Sequence, residues 1–136
     1  MRLNTYLNFD GHCRTAFEFY AQCLNGQIEM MMTHANTPQA NCPAEYGERI
    51  MHARLNAGGM VLMGSDSMPG QHTPAQGFHV SVNVDTTEEA ERIFHALSQN
   101  GSVKMPIQPT FWSPRFGMLV DQFGTPWMVN CDQAPG

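Results

Sequence analysis

Apolar and polar residues alternate along LNTYLNFDG (3–11) and again along GFHVSVNVD (77–85). A period of two marks a strand with two unlike faces. Each segment then changes to a period near 3.6. Cys13, Ala16, Phe17, Tyr20, Cys23 and Leu24 fall on one helical face, and Ala90, Ile93, Phe94 and Leu97 on another. The spacing predicts one helix ending at Leu24 and a second ending at Ser98. Thr86 with Glu89 reads as a capping box for the second helix. Asn25-Gly26 and Asn100-Gly101 supply the left-handed residue that ends each.

Three further strands follow each helix. In the first half they are QIEMMMT (27–33), RIMHARL (49–55) and MVLMGS (60–65), with a loop at 34–47 and a hairpin signal at Ala57-Gly58-Gly59. In the second half they are VKMPIQ (103–108), FGMLVD (116–121) and PWMVNC (126–131), with the loop PTFWSPR (109–115) and a turn at Gln122–Thr125. Asn8-Phe9-Asp10 matches Asn83-Val84-Asp85 at an offset of 75, as do the two Asn-Gly pairs. Toward the module ends the offset falls to about 66, because the loops differ in length and loop length is cheap to change. The pattern predicts an α+β chain of two tandem βαβββ modules, at 1–66 and 77–136. A polar linker, 67–76, joins them into one structural domain overall.

Strand parity assigns faces. Leu3, Leu7 and Phe9 lie under the first helix, which leaves Asn4, Tyr6 and Asn8 on the other side. Phe78, Val80, Val82 and Val84 lie under the second helix, opposite His79, Ser81 and Asn83. His52 and Arg54 oppose Met51, Ala53 and Leu55. Trp127 and Val129 oppose Met128 and Asn130. Trp112 and Phe111 stand in a loop beside Pro114, as a pocket wall or lid, or packed at a subunit interface. Met30, Met31 and Met32 read as a strand packed on both sides. The ligand-contacting candidates are therefore Tyr6, Asn8, His52, Arg54, His79, Ser81, Trp112, Met128 and Asn130. His52 and His79 are also the catalytic candidates. Each has a plainer reading: His79 and His52 as hydrogen-bonding residues, Arg54 in a salt bridge to Glu48, Asp66 or another carboxylate, and Tyr6 as packing. Asp121 and Gly124 read as turn residues, and Asp66 as closing a strand end.

Composition narrows the classes. The 136 residues are 42% hydrophobic but only 14% charged, with a net charge of −5 spread without runs. So low a charged share points to extensive burial, including a C2 homodimer interface. No basic patch favours nucleic acid or an anionic membrane, and no apolar run reaches a membrane span. The first residues show no signal-peptide pattern, which points to the cytoplasm. Cys13, Cys23, Cys42 and Cys131 lack metal-site or redox spacing and read as free thiols.

The stretches YLNFDGHCRTAFEFY (6–20), GMVLMGSDSMPG (59–70) and FWSPRFGMLVDQFGTPWMVN (111–130) resemble PhnB-like proteins of the vicinal oxygen chelate superfamily, which includes glyoxalase I, bleomycin-resistance proteins and extradiol dioxygenases. The resemblance covers almost the whole chain. It implies two sheets curled around a cup, with helices outside. Sequences of this kind also carry a 3-demethylubiquinone 3-methyltransferase label, but no glycine-rich loop here links a strand to a helix as a nucleotide-like cofactor prefers. In metal-using relatives the first and last strand of each module supply the ligands, usually His, Gln and Glu. Mapped onto this chain, those positions are Asn4 or Thr5, Leu62 or Met63, His79 and Met128. Only His79 is a ligand type for a divalent ion, and a thioether favours soft ions. No metal and no cofactor are expected at that site. Three functions stay open: metal-independent binding of a small organic molecule in the cup, a glyoxalase- or dioxygenase-like enzyme with a site rearranged around His52 and His79, and a non-catalytic interaction module.

Overall fold

The computed structural model describes residues 1–36 and 47–132. Cys42 and most of the loop expected at 34–47 lie outside the described residues. The chain forms two compact units, Met1–Pro74 and Ala75–Gly136, each described by itself. The first contains β1 (Thr5–Phe9), α1 (Cys13–Leu24), β2 (Gln27–Thr33), a short 3₁₀ turn (His34–Asn36), β3 (Ile50–Ala57) and β4 (Met60–Asp66). The second contains β5 (Val80–Val84), α2 (Thr87–Leu97), β6 (Ser102–Gln108), β7 (Phe116–Val120) and β8 (Pro126–Cys131). Each unit is a βαβββ module with a mixed four-stranded sheet, ordered β1-β4-β3-β2 in one and β5-β8-β7-β6 in the other. Neither sheet closes. The opening strand runs parallel to the closing strand, and the other pairs are antiparallel.

One face of each sheet carries the core. In the first unit Leu7, Phe9, Ala53, Leu55 and Leu62 are buried with Cys13, Ala16, Phe17, Tyr20 and Cys23 of α1. Phe9, Phe17 and Tyr20 form an aromatic cluster with ring centroids 5.9–6.4 Å apart. In the second, Leu119, Trp127, Val129 and Cys131 are buried with Ala90, Ile93, Phe94 and Leu97 of α2. Helix-to-sheet contact is close enough to demand glycine. A Cβ on Gly64 would sit 2.8 Å from the Phe17 ring, and one on Gly117 would sit 2.5 Å from Phe94. Leu3 and Phe78, expected under the helices, precede their strands and are exposed. The apolar alternation there runs past the ends of the ladders.

The Asn-Gly pairs divide two tasks that the sequence assigns jointly. Asn25 and Asn100 take the left-handed conformation, at φ 53° and 58°. The glycines serve close approach instead: a Cβ on Gly26 would lie 2.8 Å from the Asn56 carbonyl oxygen, and one on Gly101 2.5 Å from that of Val120. Only half of the capping box at α2 forms. Thr86 Oγ1 accepts from the Glu89 N–H at 3.1 Å, but the Glu89 carboxylate turns to Arg92 at 2.8 Å. That bond lowers the Glu89 carboxyl from its ordinary range. The β3–β4 hairpin closes on Gly58 and Gly59, both at positive φ, as a two-residue turn of primed type requires.

Candidate functional site

The face of each sheet away from its helix is the open face. In the first unit Tyr6 and Asn8 of β1, Met63 and Ser65 of β4, His52 and Arg54 of β3, and Met30 and Met32 of β2 share it. Leu62 is buried on the helix side, so Met63 is the open-face residue of the closing strand. Tyr6 and His52 form a couple: Tyr6 Oη lies 3.1 Å from His52 Nδ1, and the rings stack at 5.7 Å. With the phenol donating, His52 keeps its proton on Nε2, turned away from Tyr6. Arg54 donates Nε to Glu29 Oε1 at 2.9 Å, so its ion-pair partner is Glu29, not Glu48 or Asp66. Asn8 Oδ1 lies 3.5 Å from Ser65 Oγ. The pair of His52 and Arg54 is thus displayed two residues apart on one strand, each steadied by a neighbour.

In the second unit Ser81 and Asn83 of β5, Met128 and Asn130 of β8, and Met118 of β7 share the open face. His79 stands just before β5 and is exposed. Asn130 Nδ2 donates to Asn83 Oδ1 at 3.2 Å and to Asp132 Oδ1 at 3.0 Å, while Asn130 Oδ1 is buried without a hydrogen-bond partner. Trp112 is half exposed, its ring 4.8 Å from Phe111 and 5.3 Å from Phe116. Buried Ser113 pins this loop: its Oγ donates toward the Arg115 and Cys131 carbonyls at 2.7 and 2.9 Å. The candidates therefore fall into a Tyr6–His52–Arg54 group with Asn8 in one unit, and a Ser81–Met128–Asn130 group with His79 and Trp112 in the other.

Two carboxylates, Asp66, read from sequence as closing a strand end, and Asp121, read as a turn residue, hold these faces in place. Asp66 Oδ1 accepts from the N–H groups of Gly11 (2.9 Å) and Cys13 (3.0 Å), and Oδ2 from that of Ile50 (2.8 Å). It caps α1 from β4 and ties β3 to both. Asp121 Oδ1 accepts from Phe123 and Thr125, and Oδ2 from the Trp127 indole at 2.8 Å. The signal for these roles is a lone acid at the end of an apolar strand, a place where only a paired carboxylate survives burial. Burial, and then the nearby Asp66 charge, push the Cys13 thiol well above the usual cysteine range. It is held as an unreactive thiol. Cys13, Cys23 and Cys131 are buried thiols.

The donor set does not fit a divalent ion at the positions used by metal-dependent relatives. The ladder places Met63 opposite Tyr6 and Met128 opposite Ser81. It also makes the closing-strand offset one residue shorter than the sequence match suggests. Among the described residues no three His, Cys, Asp or Glu side chains gather into a group suited to a metal ion. No helix among them is long and apolar enough to cross a membrane.

Comparison with known proteins agrees with this architecture. The family model described as 3-demethylubiquinone-9 3-methyltransferase matches residues 1–130. Protein YjdN of Escherichia coli (strain K12) is 33% identical over 139 residues, covering 96% of this chain and 95% of its own. The crystal structure of protein PA1353 from Pseudomonas aeruginosa is similar at a TM-score of 0.91 and 46% identity, covering 98% of each chain. A putative 3-demethylubiquinone-9 3-methyltransferase, PhnB protein, from Bacillus cereus follows at 0.80 and 27%, covering 96% of this chain and 99% of its own. The fosfomycin resistance protein FosX from Listeria monocytogenes, at 10% identity and a TM-score of 0.66 over 96% and 91%, shares the fold alone. Paired βαβββ modules, a family match over nearly the whole chain and close structural relatives together place this chain in the PhnB-like family, whose model is described as 3-demethylubiquinone-9 3-methyltransferase.

Proposed function

We propose that this chain binds a small organic molecule on the open faces of its sheets, without the divalent metal of metal-using relatives. One observation carries the reading. Met63 and Met128 stand on the open face of the closing strands, where a thioether does not suit a divalent ion, while the first open face keeps a hydrogen-bonded Tyr6–His52 couple beside Arg54. Polar side chains exposed on a sheet face and oriented by neighbours are what a ligand with an acidic or hydrogen-bonding group uses. Arg54 spends only Nε on Glu29, leaving its terminal nitrogens for such a group. Within each unit by itself, the open face offers methionines to the non-polar part of such a molecule, Met30, Met32 and Met63 in the first and Met118 and Met128 in the second. A homodimer acting in the cytoplasm belongs to this proposal. Sedimentation that shows a stable monomer at micromolar concentration refutes the dimer.

The test pairs two measurements on protein purified without chelator. Divalent metal content is expected to be substoichiometric. Trp112 fluorescence is expected to respond to one of a panel of phosphonates, phenols and 2-oxo aldehydes. A stoichiometric divalent ion that is lost in His79→Ala overturns the metal-free reading. Silence across the panel favours an interaction module instead. The Tyr6–His52 hydrogen bond supports a second reading, an enzyme that uses the couple for proton transfer. Conversion of a bound panel member, abolished in His52→Gln, would establish it.

A further inference from the structure

Each open face contains a row that runs across all four strands and passes through the methionine of the closing strand. In the first unit the partners in register are Tyr6, Met63, Arg54 and Met30. In the second they are Ser81, Met128, Met118 and Met105. The rows occupy equivalent places in the two modules. They differ most at the third position, where Met118 replaces Arg54. As a result three thioethers stand side by side on β8, β7 and β6, all of them partly exposed. Residues in register on neighbouring strands have Cα atoms about 4.5–5.5 Å apart, so flexible methionine side chains on one face converge readily.

The neighbouring row of the same sheet shows that methionine is not the general filler there. Val80, Trp127, Leu119 and Val103 are in register there, a hydrocarbon and aromatic set of which Trp127 and Leu119 are buried and Val103 is exposed. Met105 also sits between two irregularities of the β6–β7 ladder, a place where strand geometry is adjusted locally. Thioether sulfur is neutral, polarisable and a poor ligand for Mg²⁺, Mn²⁺ or Zn²⁺, but a good one for monovalent soft ions. We propose that Met105, Met118 and Met128 form a three-sulfur site for Cu(I) on the open face of the second unit. In the first unit Arg54, which has no soft donor atom, stands in register between Met30 and Met63, so the row there holds only two sulfurs. This inference does not rest on the small-molecule reading. Both readings use Met118 and Met128, but the soft-ion site is tested with Cu(I) alone and stands or falls without an organic ligand.

Methionine-methyl NMR tests it on the intact chain, with ¹³C-methyl methionine and Cu(I) supplied anaerobically under ascorbate. Each methyl reports on its own sulfur, so ion taken up by the cysteine thiols does not obscure the result. The methyl signals of Met105, Met118 and Met128 are expected to shift together and to saturate at one ion per chain for that set. Met118→Leu keeps the shape and the fold. It is expected to remove the concerted shift and weaken binding at this set at least about tenfold. Arg54→Met is expected to create a second responding set with Met30 and Met63. No shift in the three methyls, shifts in only one of them, or an unchanged response in Met118→Leu overturns the proposal. A folded Arg54→Met protein without a second set overturns it too, since the row would then not be what makes the site.

Discussion

Replacing Asp121 by Asn tests how the second open face is held. Asp121 is 4% exposed and Trp127 1%. The carboxylate takes the Phe123 and Thr125 N–H groups on one oxygen and the Trp127 indole N–H, at 2.8 Å, on the other. In Asp121→Asn the carbonyl keeps the turn, and the amide then meets the indole donor to donor. A hydrogen bond to a charged group contributes about 1.5–3 kcal/mol, and a buried donor left unpaired adds about 1–3. Two bonds survive with a neutral acceptor, so the expected loss is about 2–4 kcal/mol. Trp127→Phe removes the donor, at a further cost from the lost volume. If the indole bond is the main term, Asp121→Asn is far less damaging when Trp127 is already Phe. The coupling energy from the double-mutant cycle is expected at about 1.5–3 kcal/mol. Urea unfolding followed by far-UV circular dichroism measures all four proteins, including the two that lack Trp127. A coupling below about 0.5 kcal/mol would show that the carboxylate serves the turn alone, and the account of β8 would be wrong.

Three more outcomes follow from the same geometry. Cys13 holds its proton far more tightly when folded than when unfolded, so the unfolded chain ionises first. Stability is expected to be full below about pH 8.5 and to fall above it by up to about 1.4 kcal/mol per pH unit; Cys13→Ala removes that part of the alkaline slope in urea melts. Gly26→Ala and Gly101→Ala drive a methyl into the Asn56 and Val120 carbonyls. Each is expected to lose about 1–3 kcal/mol, whereas Asn25→Gly is close to neutral, and thermal melts separate the two. Thr86→Ala removes the Oγ1 cap of α2 and is expected to cost about 1 kcal/mol. A melting temperature that does not move would contradict the cap.

Much of this was readable from period alone. The order of elements, the two modules and the sidedness of Leu7, Phe9, Trp127 and Val129 follow from alternation and helical spacing, because burial of one face imposes them. Sequence matching also reaches the family, through long stretches with little gap. It does not reach the partners of charged residues. Glu29, which joins Arg54, lies beside a β2 irregularity that strand counting does not foresee. Nor does it settle Leu62 against Met63, since a one-residue slip in a strand exchanges the faces, and only the ladder fixes the register. The same slip hides the methionine row. With the longer offset, Met128 aligns with Leu62, and Met118 shows no relation to Arg54.

Once the register is fixed, the two modules can be compared position by position, and the pattern of difference bears on function. Features imposed by packing occur in both. Asn takes the left-handed turn after each helix region, Gly follows it under a strand carbonyl, and a glycine admits a helix aromatic onto each sheet. The third of these sits on β4 in one unit and on β7 in the other, so packing tolerates a change of strand as long as the contact is made. The open faces obey no such rule. Tyr6 answers to Ser81 and Arg54 to Met118, pairs that differ in charge, volume and hydrogen-bonding capacity. No buried contact requires either choice, since these side chains remain partly exposed. A fold that asks only for a sheet face would accept the same residues twice. The unlike chemistry of the two rows is therefore not imposed by packing, and the binding proposals for the two faces rest on that difference.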